Sequence, residues 1–257
     1  MGWLRDWRRR RRLRRGRRPV PEAWALAERA LPRLRRLDAG RRQRLADTAV
    51  LLRAEKAFQG VAGAAPTAAE LDAVALQAAV PILEIGLDGY AAWTTVLIYP
   101  SDFVATHEYE DEAGVVHTEQ GALIGEAWQG GPLVLSLASA LAPEPGSNVV
   151  IHECAHKLDM RQGAVNGLPP LRRGMPVAEW AAAFEAAYAA LRAHLEAEEG
   201  GGDPHRGQPP PLDPYAAEDP GEFFAVATEA YFADPARLRR GFPAVYQQLA
   251  RLYGWSL

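Results

Sequence analysis

A pair of histidines four residues apart constrains the fold of this chain more than any other feature of its sequence. The segment from Ile151 to Asp159 reads IHECAHKLD and contains the pattern H-E-x-x-H. On an α-helix, residues four apart lie on the same face, so His152 and His156 can reach one zinc ion at about 2.0–2.1 Å. Glu153 lies beside that face, where its carboxylate can take a proton from a zinc-bound water. The pattern therefore predicts a helix that carries two metal ligands and a general base.

The pattern alone does not decide the chemistry, because it arises by chance in about one chain in a hundred of this length. A zinc site also needs a third protein ligand, and Glu222 is the strongest candidate downstream. Asp219 is suited to the N-cap of a helix and Pro220 to its first position, which places Glu222 in the first turn. The alternative for Glu222 is a capping-box carboxylate that bonds to its own N-cap amide. The residues by themselves leave both interpretations open.

Length and composition favour one large domain. The chain has 257 residues, of which 48% are hydrophobic, enough to bury a single core. Its one cysteine, Cys154, excludes an internal disulfide. We find neither the apolar run that a secretory signal needs nor the roughly 18 consecutive apolar residues of a membrane span. We therefore expect a cytoplasmic protein with a single domain at residues 20–257.

A run of arginines distinguishes residues 1–19 from the rest of the chain. Residues 5–18 contain ten arginines and one aspartate, although the whole chain has a net charge of −3. Runs of like charge are typical of disordered, solvated arms, and we predict such an arm here. The alternative is an anchor for nucleic acid or for an anionic membrane surface.

Periodicity and capping signals predict helices in the first third of the chain. Apolar residues recur at helical spacing from Pro21 to Leu37, and a second helix is expected from Asp38, as N-cap, to Phe58. A third helix is expected to start at Thr67, where TAAE has the form of a capping box. This part of the protein is therefore predicted to be helical.

Short β-branched segments then predict a small mixed sheet. Residues 94–99 read TTVLIY and end at Pro100, which indicates a buried strand. Further strands are predicted at 104–108, 115–118, 122–127 and 133–136, with turns at 112–114 and 130–132. Helices are predicted again at 177–199, 220–233 and 243–253, with a Gly- and Pro-rich loop at 200–214. The order of these elements predicts an α+β fold.

Three further residues have competing interpretations. Asp159 can accept the free imidazole N–H of His156, which would make it an outer partner of the metal site, or it can form an ion pair in the core. Cys154 is expected to fill the core, and an inhibitory thiolate on the metal is the alternative. Glu229 shares a helix face with Glu222 but ranks as a distant substitute for it as a ligand.

A second segment resembles a known family. Residues 215–225, YAAEDPGEFFA, resemble the third-ligand segment shared by Mlc titration factor A peptidases and the catalytic domain of anthrax lethal factor. In both families a tyrosine precedes the ligand glutamate by seven residues, as Tyr215 precedes Glu222 here. The resemblance to Mlc titration factor A spans roughly residues 45–250. It also covers 96–100, 107–111, 131–135 and 152–159.

This resemblance implies roles for the residues at matching positions. We expect one zinc ion per chain, bound by His152, His156 and Glu222. Glu153 is expected to act as the base, and the hydroxyl of Tyr215 to donate a hydrogen bond to the oxyanion. The resemblance also implies a zincin-like metallopeptidase fold and aminopeptidase-like activity on short peptides.

The family name further implies a second, non-catalytic hypothesis. Mlc titration factor A is named for sequestering a glucose-responsive transcription repressor, so this chain would bind an Mlc-like repressor. The complete set of base, ligands and tyrosine favours an active enzyme, because a binding module has no need for it.

Overall fold

Helices form most of the described chain, and a four-stranded sheet lies among them. The computed structural model describes residues 2–110, 116–123, 125–127, 130–199 and 209–255. The α-helices are α1 (Gly2–Arg15), α2 (Pro21–Ala30), α3 (Ala39–Glu55), α4 (Ala68–Ala79), α5 (Leu137–Leu141), α6 (Val149–Asp159), α7 (Val177–Glu199), α8 (Pro220–Ala233), α9 (Pro235–Gly241) and α10 (Pro243–Tyr253). The strands are β1 (Ala57–Gly60), β2 (Thr95–Tyr99), β3 (Phe103–Glu110), β4 (Val116–Leu123), β5 (Gly125–Ala127) and β6 (Leu133–Ser136).

The four-stranded sheet is mixed, as predicted, and it supports the motif helix. Its strand order is β1-β2-β6-β5, with β1, β2 and β6 parallel and β5 antiparallel to β6. Strands β3 and β4 pair separately as an antiparallel hairpin. Helix α6 packs against β5 and β6, and all eleven of its residues are buried. The α+β architecture is confirmed, and it places the H-E-x-x-H segment in the interior.

Most predicted boundaries agree with the structure, and the differences have local causes. Asp38 caps α3, and the capping box at Thr67 is formed. Helix α2 ends at Ala30, because Pro32 lacks an N–H and starts a short 3₁₀ turn instead. Helix α3 ends at Glu55, since residues 57–60 pair in parallel with β2. The predicted turn at 112–114 and residues 200–208 of the predicted loop lie outside the described residues.

The arginine-rich segment forms helix α1, in contrast to the disordered arm expected from its charge. Arg9 is mostly buried and bonds to both Glu55 and Asp88, at N–O distances of 3.1 and 3.0 Å. Leu13 packs against the hydrophobic core, on the same helix face as Arg9. These contacts offset the repulsion between arginines that favoured disorder. No helix in the described part of the chain is long and apolar enough to cross a membrane.

A buried polar network holds the start of the motif helix. The Asn148 side-chain oxygen accepts from the backbone N–H of Ile151 at 3.0 Å, which caps α6. Its amide donates to Gln77 on α4 at 2.7 Å, and Gln77 in turn donates to the backbone oxygen of Ala140 on α5. One asparagine therefore ties the start of α6 to two neighbouring helices.

We predict that Asn148→Ala lowers the free energy of unfolding by about 2–3 kcal/mol, because it removes a cap and leaves the Gln77 oxygen buried without a donor. Thr67→Ala is the matched control, since it removes an exposed cap and should cost about 1 kcal/mol. Chemical denaturation followed by circular dichroism measures both variants. Equal losses would show that the buried contact with Gln77 contributes nothing.

Candidate metal centre

Two helices bring the three predicted ligands together. His152 and His156 lie one turn apart on α6, and Glu222 faces them from the first turn of α8. The Nε2 atom of His152 lies 3.0 Å from one Glu222 oxygen, and that of His156 lies 3.3 Å from the other. The two Nε2 atoms are 3.1 Å apart. The three residues therefore direct one potential ligand atom each toward a common point.

These separations fit a metal ion. Four atoms at about 2.0–2.1 Å from a tetrahedral zinc lie roughly 3.4 Å from one another, close to the distances found here. The Nδ1 atom of His152 lies 2.6 Å from a Glu229 oxygen and is placed to donate to it. In the neutral imidazole this leaves the Nε2 lone pair facing the Glu222 carboxylate, a contact that a metal ion or a proton between the two atoms makes favourable.

Glu222 directs its carboxylate at the two histidines, and Asp219 caps the helix on which it lies. The Asp219 carboxylate accepts from the backbone N–H groups of Gly221 and Glu222, at 2.6 and 2.9 Å. The two Glu222 oxygens face the histidines, and among the described residues no bond from the Asp219 backbone N–H completes a capping box. Burial raises the pKa of Glu222, but the hydrogen bonds and charges of the two histidines outweigh burial and bring it to about 2. The side chain is thus a carboxylate at neutral pH.

Glu229 is the partner that orients His152, a role the sequence did not assign to it. One of its oxygens accepts from His152, and the other accepts from the Asn148 backbone N–H at 2.6 Å and the Ser147 hydroxyl at 3.0 Å. Burial lowers the pKa of His152, but the charge of Glu229 and the bonds to both glutamates raise it well above its usual value. The site is therefore built to stabilise positive charge between α6 and α8.

Asp159 does not make the predicted hydrogen bond with His156. Its Oδ2 atom instead accepts from the backbone N–H groups of Asn166 and Gly167, at 2.9 and 2.7 Å. Its Oδ1 atom and the Nδ1 atom of His156 have no hydrogen-bond partner among the described residues. Asp159 therefore holds the loop after α6 through its Oδ2 atom.

Glu153 lies beside the ligands and faces a cavity. Its side chain is buried, and burial raises its pKa to about 7. The cavity has a volume of about 440 Å³ and is lined by Glu153, His152, Tyr215 and Glu229. Strand β5 approaches closely, because a Cβ atom added to Gly125 would lie 2.7 Å from the Glu153 carboxylate. Only glycine allows the sheet and this carboxylate to lie so near each other.

Tyr215 borders the same cavity from a different element. It lies in a 3₁₀ turn at Pro214–Ala217, where its backbone N–H donates to Asp213 at 2.9 Å. Its ring centroid is 6.2 Å from that of His152, and the residue is 49% exposed. Burial and the charges of Glu222 and Glu153 raise the pKa of the Tyr215 hydroxyl. The hydroxyl therefore keeps its proton and can donate a hydrogen bond.

Cys154 points away from the ligands and into the core. Its side chain is fully buried and hydrogen-bonds with Tyr90, and burial raises its pKa to about 12. A neutral thiol in this position fills space, in agreement with the core-filling role predicted for it.

Comparison with known proteins places the chain in a family. The family model described as "Glucose-regulated metallo-peptidase M90" matches residues 4–254. The chain belongs to this family. Together with the relatives below, membership confirms the resemblance to Mlc titration factor A peptidases, and it implies a bound metal ion. The match begins within α1 and includes residues 4–15 of that helix.

Individual relatives agree with this assignment. The chain is 34% identical to Mlc titration factor A of Serratia proteamaculans (strain 568) over 242 residues, which covers 91% of this chain and 88% of the relative. It is 36% identical to the proteins of the same name from Yersinia pestis (strain Pestoides F) and Yersinia pseudotuberculosis serotype O:1b (strain IP 31758) over 228 residues. That similarity covers 87% of this chain and 81% of each Yersinia protein.

We predict that Glu229→Gln weakens metal binding by this M90 peptidase about 10- to 100-fold. Both Glu229 oxygens face donors, whereas glutamine offers one acceptor and one donor, so the variant loses a bond to either His152 or Asn148. Competition with a chromogenic chelator measures the affinity. Ser147→Ala is the control, because it removes one donor and leaves the carboxylate. A Glu229→Gln protein that holds metal as tightly as wild type would contradict this role.

Proposed function

We propose that this chain is a zinc-dependent peptidase in which His152, His156 and Glu222 hold the metal. The observation that carries the proposal is the convergence of their three ligand atoms at separations of 3.0–3.3 Å in a member of a metallopeptidase family. Two imidazole nitrogens and one carboxylate oxygen, with a cavity beside them, are the donor set of catalytic zinc sites. We propose one zinc ion per chain.

The residues around the ligands are suited to separate steps of peptide hydrolysis. When bound, zinc supplies Lewis-acid activation of water and of the scissile carbonyl. Glu153 takes the proton from the attacking water and delivers it to the leaving amine, a task suited to a carboxylate that borders the cavity. The Tyr215 hydroxyl donates a hydrogen bond to the oxyanion that develops on the carbonyl. Glu229 acts through His152, whose ring it holds in place.

The size and lining of the cavity favour short peptides as substrates. Its volume of about 440 Å³ is in the range of pockets that enclose small molecules. Apolar side chains, including Val149 and Val226, lie on its walls together with the carboxylates of Glu144, Asp213 and Asp234. These carboxylates can attract the free α-amino group of a peptide, which favours aminopeptidase-like cleavage.

Repressor binding is the second candidate function. The curated relatives carry the name Mlc titration factor A, which ties those proteins to Mlc. We propose that this chain also binds an Mlc-like transcription repressor, which would place it in the cytoplasm. Binding and hydrolysis can coexist, and a purely non-catalytic binding protein is the alternative that the experiment below tests.

We predict that Gly125→Ala lowers kcat/KM about 100-fold and leaves metal content unchanged. The added methyl group overlaps Glu153 and Val149, so it displaces the base while the ligands, which lie on other residues, stay in place. Initial rates and metal content of purified protein measure the two effects. Gly130→Ala is a poor control because its φ is positive. Ala127→Gly, on the same strand, is the better one. Wild-type activity in Gly125→Ala would argue against Glu153 as the base.

The decisive experiment compares metal content and peptide cleavage across three variants. Wild type should hold about one zinc and cleave chromogenic aminoacyl or short-peptide substrates. Glu153→Gln should keep the metal and lose about 100- to 10,000-fold in kcat, because it lacks a base. Glu222→Ala should lose the metal, and Tyr215→Phe should keep it with kcat reduced about 100-fold.

Two results would overturn the catalytic proposal. Wild type that holds no metal under any loading condition would remove the zinc site. Glu153→Gln that cleaves as well as wild type would remove the base. In either case, repressor binding that persists in the same variants would become the leading function.

A further inference from the structure

Helix α1 carries a surface that peptide hydrolysis does not use. Among the described residues, large hydrophobic side chains are exposed at six positions, and three of them lie on the first two turns of α1. Trp3 is 69% exposed, Trp7 48% and Leu4 45%. Exposing two tryptophans and a leucine to water on one short helix is unfavourable, so this face is suited to contact with something apolar.

The exposed residues lie on the face of α1 that points away from the body. Arg9 and Leu13 are on the opposite face, where Arg9 bonds to Glu55 and Leu13 packs against the core. At 100° per residue, Trp3, Leu4 and Trp7 lie on the outward side together with Arg11 and Arg14. The helix is therefore held flat against the protein with an outward face that is both aromatic and basic.

Several arginines on α1 are available to an anionic partner. Arg5, Arg9 and Arg12 form ion pairs with Glu55 and Asp88 on the body. Within the described part of the chain, no ion pair is formed by Arg8, Arg10, Arg11, Arg14 or Arg15. All five of these side chains belong to exposed residues.

A groove beside Trp7 gathers four arginines. The groove has a volume of about 620 Å³ and is lined by Arg8, Arg11, Arg12 and Arg15, together with Trp7, Gly16 and Ala54. The Arg11 guanidinium lies 5.5 Å from the Trp7 ring centroid, which fixes a charge above an aromatic face. Guanidinium groups bind phosphate oxygens through paired hydrogen bonds, so this groove fits a phosphate headgroup.

We propose that the outward face of α1 docks the protein onto a membrane surface rich in anionic phospholipid. Trp3, Leu4 and Trp7 enter the headgroup region, where tryptophan is favoured, and the arginines bind lipid phosphates. Leu4 favours a membrane over nucleic acid as the partner. An exposed leucine between two tryptophans adds affinity for acyl chains and adds none for a phosphodiester backbone. Binding is peripheral, since 14 residues rich in arginine cannot span a bilayer.

Co-sedimentation of the full chain with lipid vesicles tests this proposal. Wild type should bind vesicles of phosphatidylcholine mixed with phosphatidylglycerol and should not bind phosphatidylcholine alone. Arg11→Gln/Arg14→Gln should lower the partition constant about 25-fold, since each basic residue near an anionic surface contributes roughly fivefold. Trp3→Ser/Trp7→Ser should lower it at least about tenfold through lost apolar burial.

Matched controls separate this surface from general charge and folding effects. Arg239→Gln/Arg240→Gln makes the same charge change at exposed positions on α9, and Val177→Ser removes an exposed apolar side chain at the start of α7. Both controls should bind as wild type does. Thermal unfolding of all variants should match that of wild type, because the altered side chains are exposed.

Three outcomes would overturn the proposal. The first is wild type that stays in the supernatant with anionic vesicles. The second is a control variant that loses as much binding as the α1 variants. The third is a Trp3→Ser/Trp7→Ser protein that binds vesicles normally. If the first outcome is accompanied by arginine-dependent binding to a duplex oligonucleotide, nucleic acid is the partner instead.

Discussion

The Glu229 carboxylate is the contact on which the arrangement of the site depends. It lies on α8, yet its partners are the ring of His152 and the backbone and hydroxyl groups at the start of α6. One buried anion therefore joins the two helices that supply the ligands. Because both of its oxygens face donors, the distance between α6 and α8 and the rotation of His152 are set together.

A buried cluster of like charges is the energetic consequence of this arrangement. Glu153, Glu222 and Glu229 surround two histidines in a region with little access to water. Carboxylates placed this close raise the free energy of the folded chain unless a positive charge lies among them. A bound divalent cation would supply that charge, so metal binding and the stability of this region are linked.

Charge is divided between two regions of the molecule. The site is acidic and buried, whereas α1 is basic and exposed. Glu55 and Asp88 on the body hold α1 through Arg5, Arg9 and Arg12, so acidic groups outside the site have a structural use as well. A helix this basic would not be stable in isolation, because its arginines repel one another. Its structure depends on the acidic groups beneath it.

The sequence by itself determined the local features of this protein. The H-E-x-x-H spacing, the Asp219 cap and the capping box at Thr67 depend on residues within one or two turns of each other, so their patterns are readable along the chain. The bounds of α7, α8 and α10 follow from the same local signals. Resemblance to a family favoured Glu222 as a ligand over its alternative as a cap and added Tyr215, and no local pattern could join either residue to His152.

The tertiary structure decided the contacts between distant segments. Glu229 lies 77 residues from His152, and its place on the same helix face as Glu222 was the only signal for its role. Neither interpretation offered for Asp159 included the loop amides that donate to it, because those amides are recognisable as partners only once the loop is folded. Gly125 lies beside Glu153 only when the sheet has packed against α6. Helix α1 forms only when Glu55 and Asp88 are in place beneath it. Such contacts depend on packing between segments far apart in sequence, and the periodicity of one segment does not indicate which distant residue it will contact.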